Sequence, residues 1–219
     1  MAKLKRYKTW IFDCDGVILD SNGVKTEAFR EAVLKYGNAA SKEFVEYHRL
    51  SGGISRFKKF DHFFRSILGL RRYSGPVKDA IERYGSLVRK KLVGCNETAG
   101  LRRFLEKLPR DAVKIVISGG AQDELRYVLK KRNLDRHFDA IYGSPATKAD
   151  ILARNLKKNK IPFPAVFIGD TLYDYICAKR YGIDFIFMSQ YSEMKGWRAY
   201  FKKKDVDIIR NLISLKIQI

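Results

Sequence analysis

Six polar residues stand just beyond stretches that read as β-strands, and their chemical types complement one another. Asp13 and Asp15 follow the apolar run Trp10, Ile11 and Phe12; Ser118 follows residues 113–117; Lys148 comes a few residues after 140–142; Asp170 and Asp174 follow 165–168. In an open parallel sheet the carboxyl ends of the strands share one edge, where ligands bind. Four carboxylates gathered there repel one another unless a hard divalent cation sits among them, and Mg²⁺ prefers a few carboxylate oxygens together with waters and phosphate oxygens. With that cation, the Lys148 ammonium, the Ser118 hydroxyl and the backbone N–H groups of the turns at Gly16 and Gly119 form a cradle for a phosphoryl group.

The spacing of Asp13 and Asp15 sets the reaction type. Alternate residues leaving a strand can present one carboxylate to phosphorus and the other to the leaving oxygen if the chain turns at Gly16. Asp13 as nucleophile would form an aspartyl phosphate and split one hard hydrolysis into two easier steps. Asp15 would give a proton to the departing alkoxide and later take one from water. That role asks for a raised pKa at Asp15, which burial and neighbouring carboxylates favour and a cation opposes.

These residues must be carried by a repeating strand–helix scaffold. Strands are expected at 8–12, 113–117, near 140–142, 165–168 and 185–188, and helices at about 99–108, 122–131, 148–157 and 173–181. Such alternation predicts an α/β fold, a Rossmann-like doubly wound parallel sheet with helices on both faces. Residues 23–92 differ. Apolar and aromatic residues recur there at helical spacing with breaks at Gly37, Gly52 and Gly53, Gly69, and Gly75 with Pro76, which predicts an inserted unit of about four helices. The expected organisation is a core of residues 1–20 and 95–219 with a helical cap of residues 21–94. The stretch 197–219, with Ile208, Ile209, Leu212 and Leu215 beside a KKK run, is expected to be a closing helix.

The 219 residues are 46% hydrophobic and 31% charged, enough for a sizeable core without disulfide or metal staples. Cys14, Cys95 and Cys177 are odd in number, form no CxxC pair and fit buried thiols in a reducing cytoplasm. The basic start of the chain resembles a signal peptide, but Asp13 and Asp15 cut its apolar stretch short, and no run has a membrane span's length. The net charge of +20 would attract phosphates, nucleic acids or anionic surfaces. It is diffuse: residues 21–95 carry +9 and the remainder +11. A small phosphorylated metabolite is therefore the expected partner and a nucleic acid only a third reading, from a different class, because no segment gathers the basic residues into a groove-tracking stripe. No oligomeric state follows from the sequence.

The runs DCDGVILDS (13–21), ISGG (117–120), Lys148 and IGDTLYD (168–174) resemble, in order and separation, the four motifs of the haloacid dehalogenase superfamily, a likeness spanning residues 11–174. It implies a Rossmann-like core and Mg²⁺ bound by Asp13, Asp170 and the backbone carbonyl of Asp15, with Asp174 supporting the metal through its ligands. Dehalogenases of this superfamily lack the second aspartate, so Asp15 points to phosphate chemistry. The helical insertion is similar to the cap of the phosphoglycolate phosphatase and β-phosphoglucomutase branch. Within it, Gly53, Ile54, Ser55 and Arg56 resemble a GVSR segment that holds the far end of the substrate. Arg56 is thus a candidate for a distal anionic or hydroxyl group, the alternative being a surface arginine. Where the mutase pattern has a histidine this chain has Lys25, which favours hydrolysis over a mutase reaction and makes Lys25 a candidate substrate contact, or else a helix-surface lysine. The runs 13–29 and 47–60 resemble capped hydrolases of bacterial surface-polysaccharide and nucleotide-sugar biosynthesis, which implies a sugar phosphate. His48, His62 and His137 lie outside the motifs and are assigned to packing or surface. Phe57, Phe60, Phe63 and Phe64 are assigned to the cap core.

Overall fold

In a computed structural model, residues 7–215 are described; the basic start at residues 1–6 and the last four residues of the expected closing helix lie outside them. Six parallel strands make one sheet in the order β3-β2-β1-β4-β5-β6. They are β1 (Thr9–Phe12), β2 (Val113–Ala121), β3 (Ala140–Ser144), β4 (Ala165–Gly169), β5 (Asp184–Met188) and β6 (Asp207–Ile209). The chain walks outward from β1 through β2 to β3, then restarts on the other side of β1 with β4. The point of reversal therefore lies between β1 and β4, and both strands deliver an aspartate there.

Alternation along the central strands splits the core into two layers. Trp10, Phe12, Val116, Ile168 and Ile186 face one side, where α5 (Leu101–Lys107) and α6 (Gln122–Lys131) pack. Ile11, Ile115, Ile117, Phe167 and Phe185 face the other, covered by α7 (Lys148–Lys157), α8 (Leu172–Arg180) and α9 (Trp197–Phe201). A sheet buried on both faces needs near-continuous apolar strands, and all four residues of β1 are buried.

The inserted cap consists of α1 (Asn22–Val33), α2 (Asn38–Leu50), α3 (Arg56–His62), which runs on into a wider turn at Phe63–Ile67, and α4 (Ser74–Gly94). Its core is aromatic: Phe29, Phe44, Phe60, Phe63, Phe64 and Tyr84 are buried, with Phe44 and Phe63 ring centres 4.8 Å apart and Phe29 and Tyr84 4.2 Å apart. Phe57, expected to join them, is instead 38% exposed. It stands in the first turn of α3, at the end of the helix face that buries Phe60 one turn later.

The expected closing helix is corrected. Among the described residues of this stretch α9 alone is α-helical; the chain then forms β6, pairing Phe187 with Ile208 and Met188 with Ile209, and ends its described part in a 3₁₀ turn at Leu212–Ser214. The adjacent β-branched pair Ile208 and Ile209 satisfies the free edge of β5, and this tertiary pairing overrides a spacing that also suits a helix. The second strand is longer than expected, since β2 continues through Ser118 to Ala121 with a register shift against β3 after Ile117.

The cap core generates one stability prediction. Truncating the fully buried Phe60 in Phe60→Ala should cost about 3–5 kcal/mol, read as a fall in the denaturation midpoint of the whole chain, whereas Phe57→Ala should change it by less than about 1 kcal/mol.

Candidate active site

The site begins with two helix starts. Thr147 caps α7 by accepting from the Asp150 backbone N–H, while the Asp150 carboxylate returns to Thr147, and this capping box fixes Lys148 in the first turn. Thr171 and Asp174 make the same reciprocal pair at the start of α8. The Asp174 Oδ2 thereby accepts from the Thr171 N–H at 3.2 Å and hydroxyl at 2.6 Å, leaving Oδ1 for Lys148 at 2.5 Å. Lys148 Nζ also lies 2.8 Å from Asp13 Oδ2, and Asp13 Oδ1 accepts from the Cys14 N–H at 2.7 Å. Gly169 is required here because a Cβ on it would stand 2.5 Å from the Asp174 Cβ.

Burial raises the Asp13 pKa, helped by Asp174 and Asp15 and opposed by Lys148. Lys148, fully buried, is nevertheless held strongly protonated, because the two carboxylates outweigh its own desolvation. Asp170 is also pushed well up, first by burial and then by Asp13 and Asp174. Its Oδ2 accepts from Asn22 Nδ2 at 2.7 Å, but its Oδ1 is buried without a hydrogen-bond partner. Carboxylate oxygens of Asp13, Asp170 and Asp174 lie within 4.8 Å of one another. An orphaned carboxylate oxygen inside a buried, all-oxygen acidic cluster is the donor set a hard divalent cation takes. Both oxygens of Asp13 and of Asp174 already have partners, so Asp170 Oδ1 is the free donor atom of the three.

Asp15 is placed differently. Its carboxylate accepts from Lys25 Nζ at 2.5 Å and from the Ser21 hydroxyl at 2.5 Å, away from the acidic cluster. Burial alone would raise its pKa, but Lys25 and then Ser21 outweigh burial and bring it below the usual carboxylate range. The competition between burial and cation at Asp15 thus goes to the cation, and the cation is a lysine of α1.

Above these groups lies a cavity of about 260 Å³. Asp13, Asp15, Asp170 and Gly119 line its floor, Lys25 its side, and His48, Gly53, Arg56 and Lys59 its cap wall. Gly16 and Gly119 have steric reasons to be glycine. Gly16 has φ +73 and a Cβ there would meet Asp170 Oδ2 at 2.3 Å; a Cβ on Gly119 would meet the Gly53 carbonyl oxygen of the cap at 2.5 Å. Ser118 is buried beneath the floor, its Oγ accepting from the Gly120 N–H at 3.0 Å. Lys148 borders a smaller side pocket with Gly53, Gly119 and Tyr173.

Arg56 reaches this cavity already paired: its guanidinium forms a two-pronged ion pair with Glu124 of α6 and lies 4.5 Å from the Tyr84 ring centre. It therefore ties cap to core. His62 stacks on Tyr47 at 3.7 Å, as a packing histidine does, and His137 also lies outside the cavity. His48 packs on Phe29 at 4.4 Å and also lines the cavity, as does Lys59 beside it. Sequence reading passed over Asn22, Glu124, Glu193 and Lys59. Asn22 follows the first motif directly and was within reach of it; the other three are set by tertiary packing.

Comparison with known proteins agrees with this geometry. The family model for haloacid dehalogenase-like hydrolases matches residues 10–188. A phosphorylated carbohydrates phosphatase of Thermotoga maritima is 25% identical over 190 residues, covering 81% of this chain and 82% of that protein. Among solved structures, a haloacid dehalogenase-like family protein of Streptococcus pneumoniae superposes with a TM-score of 0.70 at 19% identity over 96% of this chain and 97% of that one. A mutant of CbbY from Rhodobacter sphaeroides in complex with xylulose-(1,5)bisphosphate gives 0.74 at 16% identity over 95% and 96%. With its acidic cluster at the β1/β4 reversal and a family match over most of its length, the chain belongs to the haloacid dehalogenase-like hydrolases.

Proposed function

We propose that this protein is a Mg²⁺-dependent phosphatase of phosphorylated carbohydrates that works through an aspartyl phosphate on Asp13. The observation that carries the reading is the convergence of Asp13, Asp170 and Asp174 around the buried Lys148, with an unpartnered Asp170 oxygen beneath a cavity that the cap helps to line. The name of the Thermotoga maritima relative, a phosphatase of phosphorylated carbohydrates, supports the substrate class.

Asp13 and Asp170, with the backbone carbonyl of Asp15, would hold the magnesium ion. Bound there, it supplies positive charge to the phosphoryl oxygens and lets the buried carboxylates stay ionised. Lys148 holds one oxygen of Asp13 and the Cys14 N–H the other, which fixes the carboxylate's plane. An Asp13 oxygen attacks phosphorus, the bond from phosphorus to the sugar oxygen breaks, and Asp15 gives that oxygen its proton. Water then attacks the phosphorus of the aspartyl phosphate, Asp15 takes its proton, and inorganic phosphate leaves with Asp13 restored.

The clamp on Asp15 gives this cycle an entry condition. Lys25 favours the ionised form of Asp15. An incoming phosphate dianion competes for Lys25 and places negative charge beside Asp15, and both effects raise its affinity for the proton it must donate. Hydrolysis in place of isomerisation is supported by the lysine at position 25, which is held protonated by Asp15 and so has no free site for a proton in transit.

Two outcomes follow. Asp13→Asn should lower turnover of p-nitrophenyl phosphate by on the order of 10³-fold or more with the circular dichroism spectrum unchanged, and chelation of the wild type should do the same until Mg²⁺ is restored; full activity in the variant contradicts the mechanism. Incubation with a hexose 1-phosphate and Mg²⁺ should release inorganic phosphate, measured by molybdate assay; accumulation of an isomeric hexose phosphate instead would make the protein a mutase.

A further inference from the structure

Every cationic side chain lining the cavity can be matched to an acid, save one. Lys25 pairs with Asp15 at 2.5 Å, Arg56 is held by Glu124, and Arg49 at the rim lies 3.5 Å from Glu46 and 3.8 Å from Glu193. Lys59 remains. It is 2% exposed, and among the described residues no carboxylate stands within ion-pair distance of it.

The surroundings of Lys59 orient its ammonium instead of neutralising it. Nζ donates to His48 Nδ1 at 2.7 Å and to the His48 carbonyl oxygen at 3.2 Å. If Nδ1 accepts, Nε2 carries the ring hydrogen and donates to Thr26 Oγ1 at 3.0 Å, and the Thr26 hydroxyl donates onward to Glu193 at 2.8 Å. A neutral His48 is consistent with its pKa, which burial, Lys59 and Lys25 hold well below the usual range. An ammonium has three N–H donors. Two are used, so one is left for a ligand in the cavity that Asp13 and Asp15 also line.

We propose that Lys59 is an anion subsite on the cap side of the cavity, so that the substrate carries a second acidic group, a carboxylate or a second phosphate, besides the phosphoryl group that Asp13 attacks. The inference rests on the phosphatase reading and names the substrate class within it: phosphorylated sugar acids or sugar bisphosphates, in preference to simple sugar monophosphates. Arg56, the residue the sequence suggests for a distal anion, has its fork already filled by Glu124. A buried ammonium without a counter-ion is costly, and an acid seated against it removes the cost. In keeping with this, burial and then Lys25 push the Lys59 pKa down to about 7; Asp15 and Glu193 oppose the shift and Lys148 adds to it.

The test compares kcat/KM for a hexose 6-phosphate, the corresponding 6-phosphoaldonic acid and a hexose 1,6-bisphosphate, in the wild type and in Lys59→Met, with p-nitrophenyl phosphate run alongside. The wild type should prefer one of the two acid-bearing substrates by about tenfold or more, as a charged hydrogen bond provides. That preference should shrink to within about threefold of unity in Lys59→Met, or in Lys59→Gln if the methionine variant does not fold. Preference for the aldonic acid assigns a carboxylate, and preference for the bisphosphate a second phosphate. Equal rates in the wild type, hydrolysis of p-nitrophenyl phosphate alone, or a preference that survives loss of the charge would overturn the subsite while leaving the phosphatase reading standing. Absence of hydrolysis from every substrate would overturn the phosphatase reading itself.

Discussion

A fully buried ammonium held between two carboxylates is the interaction on which the rest of this structure depends. Lys148 lies 2.8 Å from Asp13 and 2.5 Å from Asp174, and all three are almost completely inaccessible to water. Burying one charge without a partner is costly, and burying three carboxylates at one sheet edge is costlier still. Lys148 offsets part of that cost. The remainder shows in the upward pull on Asp13 and Asp170 and in the unpartnered Asp170 oxygen. The same arrangement needs β1 and β4 to be neighbours and two capping boxes to begin α7 and α8 in the right place, so electrostatics and topology impose one design.

The cap is joined to this centre by close backbone approach and by charge. Gly119, just after the second motif, leaves room for the Gly53 carbonyl oxygen, and a side chain there would push the cap loop away. Arg56 crosses from cap to core to meet Glu124 and rests on Tyr84, which itself belongs to the aromatic core of the cap. These contacts hold the cap wall of the cavity against the core. What lies between cap and sheet is then a small space with acids on its floor and an unmatched cation in its wall.

Much of this was legible in the sequence, for a physical reason. Residues that act together at strand ends must follow apolar runs directly, so Asp13, Ser118 and Asp170 can be located by counting from Phe12, Ile117 and Gly169, and Asp174 by its capping spacing from Thr171. The strands themselves are buried on both faces and read as unbroken apolar stretches. The cap interior was less legible, because pairings such as Arg56 with Glu124 or Lys59 with His48 join elements whose packing no local pattern encodes. Nothing in FKKF distinguishes Lys58, which borders the side pocket, from Lys59, which is buried against His48, except the face of the helix each occupies. The C-terminal stretch was misread because four apolar residues can serve a helix face or an edge strand, and the free edge of β5 decided between them. Lys25 was visible as a departure from a motif, but its ion pair with Asp15 was not.

The central claim is that Asp13 carries the phosphoryl group, and reductive trapping tests it most directly. Borohydride converts an acyl phosphate to an alcohol, so quenching the enzyme during turnover and sequencing its peptides by mass spectrometry should find homoserine at position 13 and nowhere else. Recovery of unmodified aspartate at position 13 from an enzyme shown to be turning over, or homoserine at Asp15 or Asp170 in its place, would contradict the account.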